Sequence, residues 1–144
     1  MTQYIGVKIV EATPMNLLAF QKEFNRNVGY QGITDDTGDC EGYLVSYPQP
    51  GNQPSLYQAW SPSEVFEEAY RTTDGMPFGL ATEAMKKGLK VARAGWNGRG
   101  MFIRLVGATA ELNAHFEIFN VHGRYDTWVA SVSDALTDDW TVVE

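Results

Sequence analysis

The chain has 144 residues, 44% hydrophobic and 20% charged, the make-up of one ordinary globular domain or two very small ones rather than a disordered chain. Its net charge of −7 opposes nonspecific binding to DNA, RNA or anionic lipid. The apolar runs are short (Met101-Phe102-Ile103 is broken by Arg104), and the start lacks the basic segment and long apolar core of a signal peptide. Cys40 is the only cysteine, so no intrachain disulfide can form. These features lead to the expectation of a cytosolic protein without membrane or nucleic-acid partners.

The charge is unevenly spread. Up to Asp74 the acids Glu11, Glu23, Asp35, Asp36, Asp39, Glu41, Glu64, Glu67, Glu68 and Asp74 face only Lys8, Lys22, Arg26 and Arg71. From Lys86 to Arg104 the balance reverses, with Lys86, Lys87, Lys90, Arg93, Arg99 and Arg104 and no acid between Glu83 and Glu111. Such a basic island either complements the acidic first half or receives a compact anion.

In chain order, the β-branched, roughly alternating run from Tyr4 to Val10 predicts a strand. Thr13-Pro14 then predicts the opening of a helix carrying Leu17, Leu18, Phe20 and Phe24. Residues 27–39 read as loop. Tyr43 to Tyr47 and Leu56 to Trp60 read as strands joined by a turn over Pro48 to Pro54. Ser61-Pro62-Ser63-Glu64 predicts a capped helix start with Ser61 as cap, followed by Val65, Phe66 and Ala69 on an apolar side. Arg71 to Gly75 reads as the connection between an N-terminal module, 1–74, and a second domain, 75–144.

In the second half, Pro77 opens a helix through Phe78, Leu80, Ala81, Ala84 and Met85, with Lys86 and Lys87 in its last turn and Gly88 as a left-handed stop. Lys90 to Ala94 and Met101 to Val106 read as strands flanking the loop Gly95-Trp96-Asn97-Gly98-Arg99-Gly100. His115 to Val121 and Thr127 to Ala130 read as a hairpin about the turn His122 to Asp126. Ser131 and Asp134 suit the cap of one short helix through Leu136, and Trp140 to Val143 reads as a closing strand. The predicted class is α+β: a helix followed by an antiparallel sheet in the C-terminal half, with a small N-terminal α+β module.

A glycine loop joining two strands does not match a dinucleotide-binding fold, whose loop runs from a strand into a helix. It does offer an aromatic face at Trp96, an amide at Asn97, a guanidinium at Arg99, and glycines that let backbone N–H groups approach a ligand. These are the elements needed to bind a small nucleotide-like anion. A tight hairpin in which Trp96 fills core and the glycines serve turn geometry fits the same residues. His115 and His122 have no second His or Cys at ligand spacing, so no metal is expected. Cys40 sits among Asp35, Asp36, Asp39 and Glu41, where a thiolate is disfavoured. Asp138 and Asp139 read as solvated charge. With no acid, base and nucleophile assembled, the chain reads as a binder without a cofactor and not as an enzyme.

Three segments carry a resemblance. Met76-Pro77-Phe78-Gly79-Leu80-Ala81, the run from Gly88 to Phe102, and Trp128, Ser131, Asp134, Leu136, Asp139 and Trp140 together resemble a small phage and prophage family. That family includes the second type of Thoeris anti-defence protein, a sponge that sequesters the cyclic ADP-ribose-like signal of the bacterial Thoeris system; some relatives also take up cyclic dinucleotides. The resemblance covers residues 76–144. It implies a signal-sequestering protein of the host cytoplasm, a homo-oligomer (dimer or tetramer) with ligand held between subunits. It also implies a ligand site in which Trp96 and Phe78 stack, Asn97 and Arg99 make polar contacts, Met101 adjoins them, and Trp128, Ser131 and Asp134 form the opposite wall. The competing functions are an acidic protein-interaction module that inhibits a host protein, and a nucleotide-signal hydrolase.

Overall fold

Two compact units, Met1–Tyr70 and Arg71–Glu144, make up the computed structural model, which describes residues 1–3, 5–25, 40–49 and 57–144. In the first unit the strands β1 (Glu11–Pro14), β2 (Gly42–Tyr47) and β3 (Tyr57–Pro62) form an antiparallel sheet in the order β1-β2-β3. Helix α1 (Leu17–Phe24) lays Leu17 and Phe20 against Trp60, with Met15, Phe24, Cys40 and Leu44 around them. A short helix α2 (Ser63–Ala69) follows β3, and its Phe66 stacks between Tyr43 and Tyr70 at 4.4 and 4.8 Å.

Three local expectations are corrected here. The first strand occupies Glu11–Pro14, and residues 5–10 join no ladder. The register that pairs Glu11 with Ser46 would, if continued, set Ile9 against Pro48, which cannot donate an N–H to the ladder. Pro14 ends this edge strand instead of opening a helix. Helix α1 starts three residues later, where the Asn16 side chain accepts from Ala19 N at 2.8 Å. Ser61 does not cap α2 because it belongs to β3, paired with Tyr43. The Ser63 amide is satisfied by the Glu41 carbonyl at 3.1 Å instead. The loop expected at 27–39 and much of the turn from Pro48 to Pro54 lie outside the described residues.

The second unit is the α+β domain that its hydrophobic periodicity predicts. Helix α3 (Phe78–Lys86) packs on a five-stranded antiparallel sheet ordered β7-β6-β5-β4-β8. The strands are β4 (Lys90–Arg93), β5 (Phe102–Val106), β6 (His115–Phe119), β7 (Tyr125–Trp128) and β8 (Trp140–Val143). Gly88 takes φ +88° after α3, a conformation that costs glycine nothing. The β6–β7 turn is closed by Asn120, whose Oδ1 accepts from His122 N and Arg124 N at 2.9 and 3.1 Å. A last helix α4 (Val132–Leu136) precedes β8. Ala81, Ala84 and Met85 of α3 meet Val91, Ile103, Met76 and Trp140 in one buried core. Among the described residues no helix is long and apolar enough to cross a membrane.

Candidate functional site

Trp140 is the hub around which the aromatic residues gather. It is fully buried at the start of β8, where Met76 N donates to its carbonyl at 2.7 Å and its own N–H donates to Met76 O at 3.1 Å. Phe78, Trp96 and Trp128 surround its indole, with ring centroids at 5.4, 5.5 and 6.0 Å. Trp128 also meets Phe78 at 6.1 Å, Trp96 edge-on at 6.4 Å and Phe116 at 6.1 Å. Such tilted and edge-on pairs each add about 0.5–1.5 kcal/mol beyond area burial. α3, the β4–β5 loop, β7 and β8 therefore bring together four aromatic rings, Phe78, Trp96, Trp128 and Trp140, that the sequence places in separate segments.

Phe78, Trp96 and Trp128 are only half-buried, and the indole N–H groups of Trp96 and Trp128 have no hydrogen-bond partner among the described residues. Neither group is shut away from solvent, since no buried side-chain nitrogen or oxygen is left unpartnered. Trp140 differs: its indole N–H donates to Asp134 O at 2.9 Å. Two rings thus offer both face and donor, and the third supports them.

The loop after β4 carries Asn97 and Arg99 on its exposed side, where neither side chain has an intramolecular partner among the described residues. The loop is shaped by its glycines. Gly100 takes φ +73°. A Cβ on Gly98 would run into Met101 Sδ and Val121 Cγ1, so Met101 packs inward against the turn.

Ser131 and Asp134 form a reciprocal capping box. Asp134 N donates to Ser131 Oγ at 3.1 Å, and Ser131 N and Oγ donate to Asp134 Oδ2 at 2.9 and 2.6 Å. The other Asp134 oxygen accepts from Arg93 at 2.9 Å, so both carboxylate oxygens are engaged within the chain. Burial works against the Asp134 charge, but the Ser131 hydrogen bonds and Arg93 outweigh it and hold the carboxyl below its usual range.

Three residues of the basic island, Lys86, Arg93 and Arg104, are paired with acids of the same unit. Arg93 Nε donates to Asp139 Oδ1 at 3.0 Å, and hydrogen bonds from Arg93, Thr137 and Gly95 N keep the Asp139 carboxyl low. Arg104 pairs with Glu117 at 2.9 Å and lies 4.0 Å from the Tyr125 ring centroid; Lys86 pairs with Glu83 at 2.8 Å. Arg93, Asp139 and Trp140 are the residues that site reasoning from sequence passed over. Asp139-Trp140 was visible as part of a pattern, but the 46-residue separation of Arg93 from Asp139 left no local signal.

Comparison with known proteins adds to this geometry. The family model described as the Thoeris anti-defense 2-like domain matches residues 76–143, which contain the whole aromatic cluster. Thoeris anti-defense 2 of Bacillus phage SP01 is 34% identical over 85 aligned residues, spanning 47% of this chain and 94% of that protein. Through its second unit, the chain belongs to the Thoeris anti-defence 2 family.

Proposed function

We propose that the second unit binds a cyclic nucleotide signal, a cyclic ADP-ribose-like molecule or a cyclic dinucleotide, and holds it without breaking it. Family membership supports the broader role, phage anti-defence. The observation that carries the finer reading is the pair of half-buried indoles, Trp96 and Trp128, with uncommitted N–H donors, beside the unpaired side chains of Asn97 and Arg99. A base stacks on an indole for about 1–3 kcal/mol. A guanidinium pairs with pyrophosphate oxygens by charge-assisted hydrogen bonds.

Sequestration needs only affinity and slow release, and the nearby carboxylates suit that role. Asp134 and Asp139 are tied to Arg93 and held ionised, which makes them weak proton acceptors at neutral pH. The reading places the protein in the host cytoplasm as a homo-oligomer with ligand between subunits. Val129, Val132 and Leu136, 87, 75 and 79% exposed, supply apolar surface for a second copy close to Trp128 in sequence.

Equilibrium dialysis of the purified full chain against cyclic ADP-ribose isomers and cyclic dinucleotides tests the proposal. Wild type retains one of these ligands and Trp96→Ala does not; equal distribution of every ligand across the membrane refutes it. A second reading, an acidic module that engages a host protein, draws on the first unit, where nine acids stand against three bases from Met1 to Tyr70. It gains if dialysis shows no retention and the isolated effect on a host survives loss of Trp96.

A further inference from the structure

Three segments of the second unit meet at one guanidinium, and a fourth joins them through Asp139. Arg93 is the last residue of β4, immediately before the loop that carries Trp96, Asn97 and Arg99. Its NH1 reaches Asp134, the third residue of α4 and partner of Ser131 in its capping box, and its Nε reaches Asp139, in the turn before β8. The second Asp139 oxygen accepts from Gly95 N at 3.0 Å, at the first residue of the loop, and Asp139 O accepts from Ala94 N at 2.9 Å. Asp134 in turn accepts from Ser131, and its carbonyl holds the Trp140 indole. Among the described residues no hydrogen bond joins the loop with Trp96 directly to the segment from Trp128 to Asp134; the two touch at the edge-on Trp96–Trp128 contact, 6.4 Å between centroids, and are otherwise linked through Arg93, its two carboxylates and the Trp140 ring.

We infer that Arg93 is a positioning residue for the ligand site: it fixes the spacing of the Trp96 wall and the Trp128–Ser131 wall without itself contacting ligand. This deepens the binding function proposed above and rests on it. The chemistry calls for arginine. A planar fork with several N–H donors can serve two carboxylates in fixed directions at once, whereas an ammonium is a single point charge on a flexible stem. The site is then preformed, and ligand binding is not charged with the entropy of ordering two walls. Loosening them raises the dissociation rate more than it lowers the association rate.

The test uses the full chain, 15N-labelled, as wild type, Arg93→Lys and Asp139→Asn. Trp60 of the first unit, whose indole donates to Met15 O at 2.7 Å, is an internal reference among the four indole N–H resonances. In Arg93→Lys without ligand, the Trp96 and Trp128 resonances shift or broaden, that of Trp60 keeps its position, and that of Trp140 remains present as a single signal. In Asp139→Asn the Trp96 resonance moves and Trp128 stays. Cyclic ADP-ribose leaves Arg93→Lys about ten-fold faster than wild type. Two outcomes overturn the inference: Trp96 and Trp128 unmoved in Arg93→Lys, or the Trp140 resonance lost together with them, which marks Arg93 as a folding residue only. Shifted Trp96 and Trp128 signals in a protein whose wild type takes up neither cyclic ADP-ribose nor a cyclic dinucleotide support the positioning role and count against the ligand reading.

Discussion

The indole N–H of Trp140 donates to the backbone carbonyl of Asp134 at 2.9 Å, which ties the most deeply buried ring of the second unit to the capping turn of α4. The core and the candidate site therefore share a residue: the same Trp140 belongs to the buried core with Met76, Met85 and Ile103 and supports Phe78, Trp96 and Trp128 at its edge.

Replacing Trp140 by Phe removes that donor and leaves a void beside α3. The expected loss is about 1–3 kcal/mol, from a partly filled cavity and an orphaned carbonyl. Urea unfolding, followed by far-UV circular dichroism, reads it as a lower midpoint with an unchanged slope.

Asn97→Ala and Arg99→Ala separate binding from folding. Both side chains are exposed and without internal partners among the described residues, so each change alters stability by less than about 0.5 kcal/mol. Ligand retention in dialysis falls at least about ten-fold for Arg99→Ala, equivalent to about 1.4 kcal/mol. Retention unchanged in both variants removes the loop from the site.

Stability falls in acid, with a sign fixed by the carboxylates. Asp134, Asp139 and Glu117 all titrate lower in the folded chain than their ordinary values, Glu117 chiefly through its hydrogen bond from Arg104. The unfolded chain therefore takes up protons first as pH drops. The stability these groups contribute is complete above the ordinary carboxylate range, about pH 4 to 4.5, and is lost as pH falls through that range toward the folded values. The melting temperature stays level from pH 7 to 5 and declines below about pH 4.5, less steeply in Asp134→Asn.

In the first unit, Gly42 faces the Trp60 indole and the Ser61 carbonyl so closely that an added Cβ would overlap both. Gly42→Ala costs about 1–3 kcal/mol by overpacking. The Trp60 indole resonance, followed through a urea titration, reports the earlier midpoint.

How far the sequence reveals this structure depends on the range of the deciding interaction. Gly88 after α3, and Ser131 with Asp134 at α4, carry their geometry within one or two turns, and the structure has them as expected. The start of the first unit differs from its local pattern because the residue that Ile9 would face is Pro48, 39 positions downstream, and that opposition depends on register. In the site, Phe78, Trp96 and Trp128 do meet, and Asn97 and Arg99 stand beside Trp96 on one loop. Lys86 meets Glu83 three residues away on the same helix, a pairing legible in local sequence, but no local signal shows that Arg93 and Arg104 are neutralised by Asp134, Asp139 and Glu117. Opposite charges brought together by strand pairing are invisible until the strands are placed.

The central claim is capture without chemistry. Purified protein is incubated with cyclic ADP-ribose isomers and cyclic dinucleotides, freed of unbound ligand, and heat-denatured; the supernatant is then analysed by mass spectrometry. The account predicts one of these ligands recovered intact in proportion to protein. Recovery of cleaved ligand, or of no ligand at all, contradicts it.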